Sequence, residues 1–380
     1  MKIEDFKAGS KIQQPTGYKS FIPTAINKTY TWDSPSINIL LEKATLQLGA
    51  LNSFAQFVPD ISLFIRMHVV KEATVSSRIE GTQTNIEEVL VKQSEINPEK
   101  QNDWQEVSNY IKAMDYAIPR LQTLPLSSRL LKEAHKILLD NVRGEHKLPG
   151  EFRRSQNWIG GASINDAVFI PPPFSEVERL MGDLENFIHN EAVSVPHLIK
   201  IAIVHYQFET IHPFLDGNGR IGRLLITLYL ISNTIIDKPI LYLSDFFEKH
   251  RDLYYDNLML IRRKNDLTQW IKFFLEAVSQ TCEIAASSLR RIIELRHNCQ
   301  GDRIIKLGKK VPNAKKLLDY LFTQPIVTAQ NVAELLEISQ VSSYKIIEDF
   351  VQVKILKETT GFKRNRFFSF EEYINIFTKS

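Results

Sequence analysis

Cysteine is scarce in this 380-residue chain, which has only Cys282 and Cys299. Both are flanked by helix-forming sequence, so neither a disulfide framework nor a Cys-x-x-Cys metal site is available, and a reducing compartment is expected. The N-terminus, MKIEDFKAGSKIQQ, has no apolar stretch of the kind a signal peptide carries. The longest apolar run, Leu224 to Ile236, is interrupted by Thr, Ser and Asn and is too short to cross a bilayer. The expectation is a cytoplasmic protein with no membrane contact. A charge excess is also missing. The formal net charge is +3, which gives no polyanion signal for the chain as a whole, although the part beyond residue 300 leans mildly basic. Internal repeats and low-complexity tracts are absent. What remains is an ordinary globular composition, 43% hydrophobic and 24% charged, at a length that suits two or three domains.

The periodicity is mostly helical. The first forty residues are polar, with Pro15, Pro23 and Pro35, and read as an arm laid over a folded body. From Asn38 onward, INILLEKATLQLGAL and ISLFIRMHVVKEATVSSRIEG place apolar residues at three- and four-residue spacings, and Gly81 ends the second run as a C-cap. A fresh helix start follows at Thr84-Asn85. Two more helical patterns run from Asp103 to Leu139, with breaks at Pro119 and Pro125. Leu148 to Pro173 differs: Gly-Gly, Asn-Asp and a triple proline surround the β-prone pieces QNWI and AVFI, which predicts a hairpin or flap. Helices resume at Phe174 and Pro196. RLLITLYLISN is so uniformly apolar that it must be a central buried helix. The stretch to residue 281 and a helix from Ile284 to Arg296 complete the body. Gly301 to Lys316 reads as a basic linker, and the tail gives helix, turn, helix and two strands about Thr360-Gly361, the order of a winged helix.

Between two of these helices lies His212 to Arg223, HPFLDGNGRIGR. Its glycines sit where a turn feeds a helix N-terminus, so successive backbone N–H groups form an anion cradle aided by the helix dipole. Arg220 and Arg223, three apart, share a face of the first turn and address the same anion. Two guanidiniums beside a cradle suit a polyphosphate. Asp216 would be misplaced among phosphates unless a cation lies between, and magnesium held by one carboxylate plus phosphate oxygens resolves this. His212 is the one group able to accept a proton near neutral pH. Taken singly, DGNGR reads as a turn and His212 as a hydrogen-bonded structural residue, while His212 with Asp216 as a metal pair finds no third nitrogen or sulfur ligand nearby. Together the parts imply transfer of a phosphorus group to a hydroxyl.

HPFLDGNGRIGR resembles in full the signature of Fic proteins, H-x-F-x-[D/E]-G-N-G-R-x-x-R. The resemblance extends to PGEFRRSQNWIGG, to the RDLYYDNL region and to the winged-helix tail. It implies a mainly α fold: a Fic-type helical bundle with a small β-hairpin flap and a C-terminal winged helix-turn-helix domain. The domains expected are an arm and helical region over 1–112, a catalytic domain over 113–300 and a winged-helix domain over 301–380. The activity implied is transfer of AMP from ATP to a Ser, Thr or Tyr hydroxyl of a protein. By that resemblance His212 is the general base and Asp216 holds Mg2+. Gly217, Asn218 and Gly219 bind the α- and β-phosphates, Arg220 the β-phosphate and Arg223 the γ-phosphate, with Phe214 as the loop's core anchor. Kinase relatives carry lysine at the position of Gly219, so glycine there favours nucleotidyl transfer. The target protein would add a strand to the flap, roughly Ser155 to Pro173 with Ile159 at its edge. Tyr254, Tyr255 and Asn257 match the stretch that lines the adenine pocket.

Ser76-Ser77-Arg78-Ile79-Glu80-Gly81 fits the same family's inhibitory pattern, [S/T]-x-x-x-E-[G/N]. Ser76 and Glu80 are i and i+4 on one helix end, and Glu80 sits where the dipole disfavours an anion. It therefore wants a cation, and Arg223 is the candidate. A Glu80–Arg223 pair would occupy the guanidinium meant for the γ-phosphate. The bland alternative is a helix ending in a solvated glutamate. Two other functions compete: an AMP-removing hydrolase using Glu80, and an ATP-sensing transcriptional regulator. For the latter, the tail offers Ser342, Ser343, Tyr344 and Lys345 on its second helix and Lys363, Arg364 and Arg366 on its wing. Glu348 and Asp349 on that helix disfavour DNA, and self-association or target docking serves equally. A homodimer is a further expectation from relatives.

Overall fold

The structure is a computed structural model of the whole chain, and it describes residues 1–56, 58, 60–142, 146–359 and 366–378. The first forty residues are more than a polar arm. β1 (Gly9–Gln13) and β2 (Lys19–Pro23) form an antiparallel hairpin with Gly9 opposite Pro23. Ile3, Phe6, Phe21, Ile26 and Tyr30, scattered among polar neighbours, are buried. α1 (Pro35–Gln56) then lies along the longest helix of the body, α11, defined below, with Ala44, Leu48 and Leu51 facing inward.

α2 (Ile61–Ile79) ends as its glycine predicts: Gly81 takes φ +107°, a conformation that costs other residues. α3 (Ile86–Val89) starts with a capping box in which Asn85 and Glu88 bond each other's backbone N–H. α4 (Gln101–Arg120) contains Pro119 and does not break before it. Pro119 falls in the last turn, so the chain stops helical pairing only after it. α5 (Ser128–Leu138), α6 (Phe174–His189) and α7 (His197–Ile211) follow, and α8 (Asn218–Ser232) is the buried helix. α9 (Ser244–Lys249), α10 (Arg251–Lys264) and α11 (Leu267–Asn298) close the body. α11 is one continuous helix where the sequence suggested two. Its Trp270 is wholly buried and donates to Ala202 O on α7 at 2.8 Å.

Two expectations change here. The flap between Ser155 and Pro173 holds one β-bridge, Ile159 with Phe169, and no regular hairpin. Gly160 and Gly161 both take positive φ, and the triple proline cannot donate to a ladder, which limits the pairing to a single bridge. The stretch from 301 is not an open linker either. Cys299–Arg303 winds as a π turn and Ile304–Lys310 as tight turns that lead into α12 (Val311–Leu321).

Beyond it come β3 (Ile326–Val327), α13 (Ala329–Leu336), α14 (Gln340–Gln352), β4 (Lys357–Glu358), β5 (Phe368–Ser369) and α15 (Glu371–Thr378). The strands form an antiparallel sheet in the order β3-β5-β4. Lys363 and Arg364, on the expected wing, lie outside the described residues. This tail packs on α2: Phe322 meets Phe64 edge-on at 5.4 Å, and Phe377 meets His68 at 5.1 Å.

Candidate functional site

The loop between α7 and α8 owes its shape to contacts that leave few polar atoms to chance. His212 ends α7 in the left-handed region at φ +50°, and Gly217 opens α8 at φ +72°. Phe214 is fully buried, stacked on His135 with ring centres 3.8 Å apart and planes 12° off parallel. Asn218 closes the loop on itself: its Oδ1 accepts from Phe214 N at 2.8 Å and its Nδ2 donates to Phe214 O at 2.9 Å. The Asn218 side chain is thus a brace, and what it leaves for an anion is its backbone N–H. Gly217 N–H is taken by Asp216 Oδ1 at 2.6 Å, and no side chain of the N-cap residue caps α8, which leaves the N–H groups of Asn218 and Gly219 at the start of the helix for an anion.

His135 and Arg153 hold this loop from below. Gly150 N donates to His135 Nδ1 at 2.9 Å, which makes Nδ1 the acceptor and leaves Nε2–H to donate to Asp216 O at 3.0 Å. Burial keeps this histidine neutral, pushed down to about 4. Arg153, 2% exposed, donates to His212 O at 3.0 Å, to Ser155 O at 3.2 Å and to Pro172 O. One guanidinium therefore ties both ends of the flap to the residue after α7. Asn157 adds bonds to His212 O and Phe214 O. The sequence reading assigned no role to His135, Arg153 or Asn157. A polar residue whose partners are distant carbonyls leaves no periodic signal, although their place in PGEFRRSQNWIGG was a pointer.

His212 Nδ1 is buried with no hydrogen-bond partner among the described residues. Burial, with the Arg262 and Arg153 charges nearby, pushes the imidazole down to about 3, so it is unprotonated at neutral pH. Asp216 is half-exposed; its Oδ1 accepts from Gly217 N at 2.6 Å and lies 3.8 Å from Arg220 Nη2. No group of three or more His, Cys, Asp or Glu among the described residues could hold a metal ion. A magnesium ion here would rest on the Asp216 carboxylate and phosphate oxygens, a donor set that such an ion accepts.

The two arginines are both engaged. Arg220, 4% exposed, lies 3.3 Å from Glu106 Oε2 on α4. Arg223, 3% exposed, donates through Nε to Ser76 Oγ at 2.7 Å and through Nη2 to Ser76 O at 2.9 Å and Glu80 Oε1 at 2.7 Å. Burial works against the Glu80 charge, and the Arg223 guanidinium overrides it and holds the carboxyl below its ordinary value. Gly219 makes the contact possible, since a Cβ there would fall on Glu80 Oε1 and within 3.0 Å of Arg223 Nη1. Gly81, bonded to Glu80 just past the helix end, serves the turn at φ +107°.

The nucleoside end differs from expectation. Tyr254 is 1% exposed, its hydroxyl bonded to His205 Nε2 at 2.9 Å and its ring stacked on Phe247, so it is a core residue and not a pocket wall. Asn257 is 6% exposed and donates to Leu253 O. Tyr255 remains 37% exposed, with Arg251 over its ring.

Residues 39–119 match the model of the Fic/DOC family N-terminal region, and residues 125–230 match that of the Fic/DOC family. The chain carries a Fic domain. Among curated relatives it is 31% identical over 140 residues to the protein adenylyltransferase Fic of Aedes aegypti, covering 36% of this chain and 24% of that one. For the protein of the same name in Culex quinquefasciatus the values are 32% over 162 residues, 40% and 28%. The chain thus spans about a quarter of the length of these relatives. A crystal structure of a Fic family protein from Desulfovibrio desulfuricans is similar at 20% identity and a TM-score of 0.56, covering 90% of this chain and 98% of that one. Fic-1 of C. elegans follows at 20% identity and a TM-score of 0.51, covering 69% and 74%. These likenesses establish the fold: mainly helical, with small antiparallel sheets, around a Fic domain. Among the described residues no helix is long and apolar enough to cross a membrane.

Proposed function

We propose that this protein is an autoinhibited protein adenylyltransferase. It moves AMP from ATP to a hydroxyl side chain of a target protein. The observation that carries the reading is the triad of Arg223, Ser76 and Glu80, set beside an uncapped helix N-terminus and an unprotonated histidine. In the transfer, His212 takes the proton of the incoming hydroxyl, whose oxygen attacks the α-phosphorus. The bond from that phosphorus to the bridging oxygen breaks, and pyrophosphate leaves with the electron pair. The N–H groups of Gly217 to Gly219 and the guanidinium of Arg220 hold the phosphates, which requires Gly217 N–H to leave Asp216 Oδ1 and Arg220 to exchange Glu106 for substrate. Asp216 would hold magnesium, which when bound would supply charge neutralisation to the phosphates. With Glu80 on Arg223, the γ-phosphate loses its clamp and ATP binds in an unproductive pose.

The target's backbone docks beside Ile159, whose bridge to Phe169 leaves the neighbouring Trp158 and Val168 exposed. The tail serves protein contact better than DNA. On its second helix Gln340 and Tyr344 share a groove with Lys92, Gln93 and Trp104, and Arg366 is paired with Glu358 at 3.0 Å. The reading is tested by incubating Glu80→Gly and Glu80→Gly/His212→Ala with ATP and magnesium and searching tryptic peptides for AMP adducts. Adducts are expected with the single variant and not with the double. Equal labelling by both would remove His212 from the chemistry, and none with either would remove the activity.

A further inference from the structure

The helix that carries Ser76 and Glu80 has a second face. One to three turns before Glu80, His68, Lys71, Glu72 and Val75 line a cavity of about 170 Å³ closed by α9, α11 and α15. Their spacing of three, four and seven residues places them on one side of α2. The lining shares no residue with HPFLDGNGRIGR, although Tyr110 links the two, its hydroxyl lying 3.5 Å from Glu72 Oε1 and 3.1 Å from Arg220 O.

Its polar atoms are unusual for a space between packed helices. Glu72 is 4% exposed; its Oε1 accepts from Ser244 Oγ, but its Oε2 has no partner among the described residues. Tyr242 is 9% exposed, and its hydroxyl is likewise without a partner. His68 Nε2 is the third such atom. Buried polar atoms are ordinarily satisfied, and leaving one unmet is costly. Three around one cavity, two of them on side chains more than nine-tenths buried, point to something that supplies hydrogen bonds. The remaining walls combine apolar Ile240, Phe246, Ala285 and Phe377 with polar His250, Gln280, Thr281 and Ser288. At the mouth Asp245 lies 3.3 Å from Lys71 and 3.2 Å from Lys249, two cations to one carboxylate. Further in, recognition falls to the acceptor Glu72 and to the rings of Phe246 and Phe377.

We propose that this cavity binds a planar nitrogen heterocycle of about ten non-hydrogen atoms whose paired N–H groups donate to Glu72, a size that suits a volume near that of one substituted aromatic ring. The cavity is lined by α2, the helix that ends at Glu80, so a ligand that binds more tightly with Glu80 on Arg223 than without holds the enzyme off. This last step rests on the inhibitory reading of Glu80; the binding step does not.

The probe is 2-aminobenzimidazole, with indane as a ring of like shape lacking N–H groups. Saturating 2-aminobenzimidazole raises the Tm of the full chain by about 2–5 °C, and indane does not. Glu72→Gln, which keeps the shape, weakens binding of the amine at least tenfold by calorimetry, and Ala285→Leu, which fills the space, abolishes it. No Tm shift with wild type, or equal binding by Glu72→Gln, overturns the site. A shift with indane equal to that with the amine means a dry cavity without polar recognition and also overturns it. In AMP transfer the probe lowers the wild-type rate several-fold and leaves Glu80→Gly unchanged; equal inhibition of both overturns the link to the latch. If no transfer is measurable with any variant, the proposed activity fails while the Tm and calorimetry results still decide the site.

Discussion

Gly219→Ala separates two roles for one residue. The backbone of Gly219 is ordinary helix in the first turn of α8, so alanine brings no strain of its own and gains up to about 1 kcal/mol in helix propensity. The obstacle is the Glu80 carboxylate, which occupies the space the new Cβ needs. Displacing it removes the charge-assisted bond to Arg223. Such bonds contribute about 1.5–3 kcal/mol, and since the Glu80 side chain is 34% exposed the lower end applies. In the wild-type background Gly219→Ala should therefore cost about 0.5–1.5 kcal/mol net. In a Glu80→Gly background the obstacle is gone, and the same change should be neutral or stabilising. Urea denaturation of the four proteins gives the coupling, expected near 1.5 kcal/mol. An equal cost in both backgrounds, with coupling below about 0.3 kcal/mol, would show that Gly219 is not glycine for the sake of Glu80.

Two further outcomes follow from the same geometry. Asn218→Ala leaves Phe214 N without a partner and Phe214 O with Asn157 alone, and should cost about 1–3 kcal/mol in urea denaturation, a loss larger than a phosphate-contacting surface residue would show. Burial raises Glu209 to about 7 from an ordinary 4.5. The native state thus keeps a proton that the unfolded chain has released, and stability falls as pH rises from about 4.5 to 7. Glu209→Gln removes that loss, so relative to wild type the variant should gain about 1–3 kcal/mol between pH 5 and pH 8. A difference that is flat across this range would contradict the buried carboxyl.

The helical body and the loop between α7 and α8 are legible in the sequence because both rest on local rules. Apolar spacing sets α2, α7 and α8, and glycines at 81 and 217 mark backbone that turns left-handed. The Glu80–Arg223 contact is foreseeable too, since an anion at a helix C-terminus needs a cation and the i, i+4 spacing aims Ser76 and Glu80 alike. What the sequence hides is long-range pairing. Nothing near Arg220 announces Glu106, more than a hundred residues earlier, or shows that both amide atoms of Asn218 are spent on Phe214. Tyr254 illustrates the same limit: an aromatic on an amphipathic helix gives no sign of which side faces the core, and His205 decides it. The flap misleads for a different reason. QNWI and AVFI have strand composition, but the glycine pair and prolines around them leave room for one bridge only.

The central claim is that Glu80 keeps Arg223 from the γ-phosphate, and the initial rate of AMP transfer from α-labelled ATP to protein tests it most directly. At low ATP, with magnesium present, releasing about 1.5 kcal/mol of competition predicts that Glu80→Gly transfers at least tenfold faster than wild type. Equal rates would contradict the account, and AMP removal that Glu80→Gly abolishes would replace it with a hydrolase.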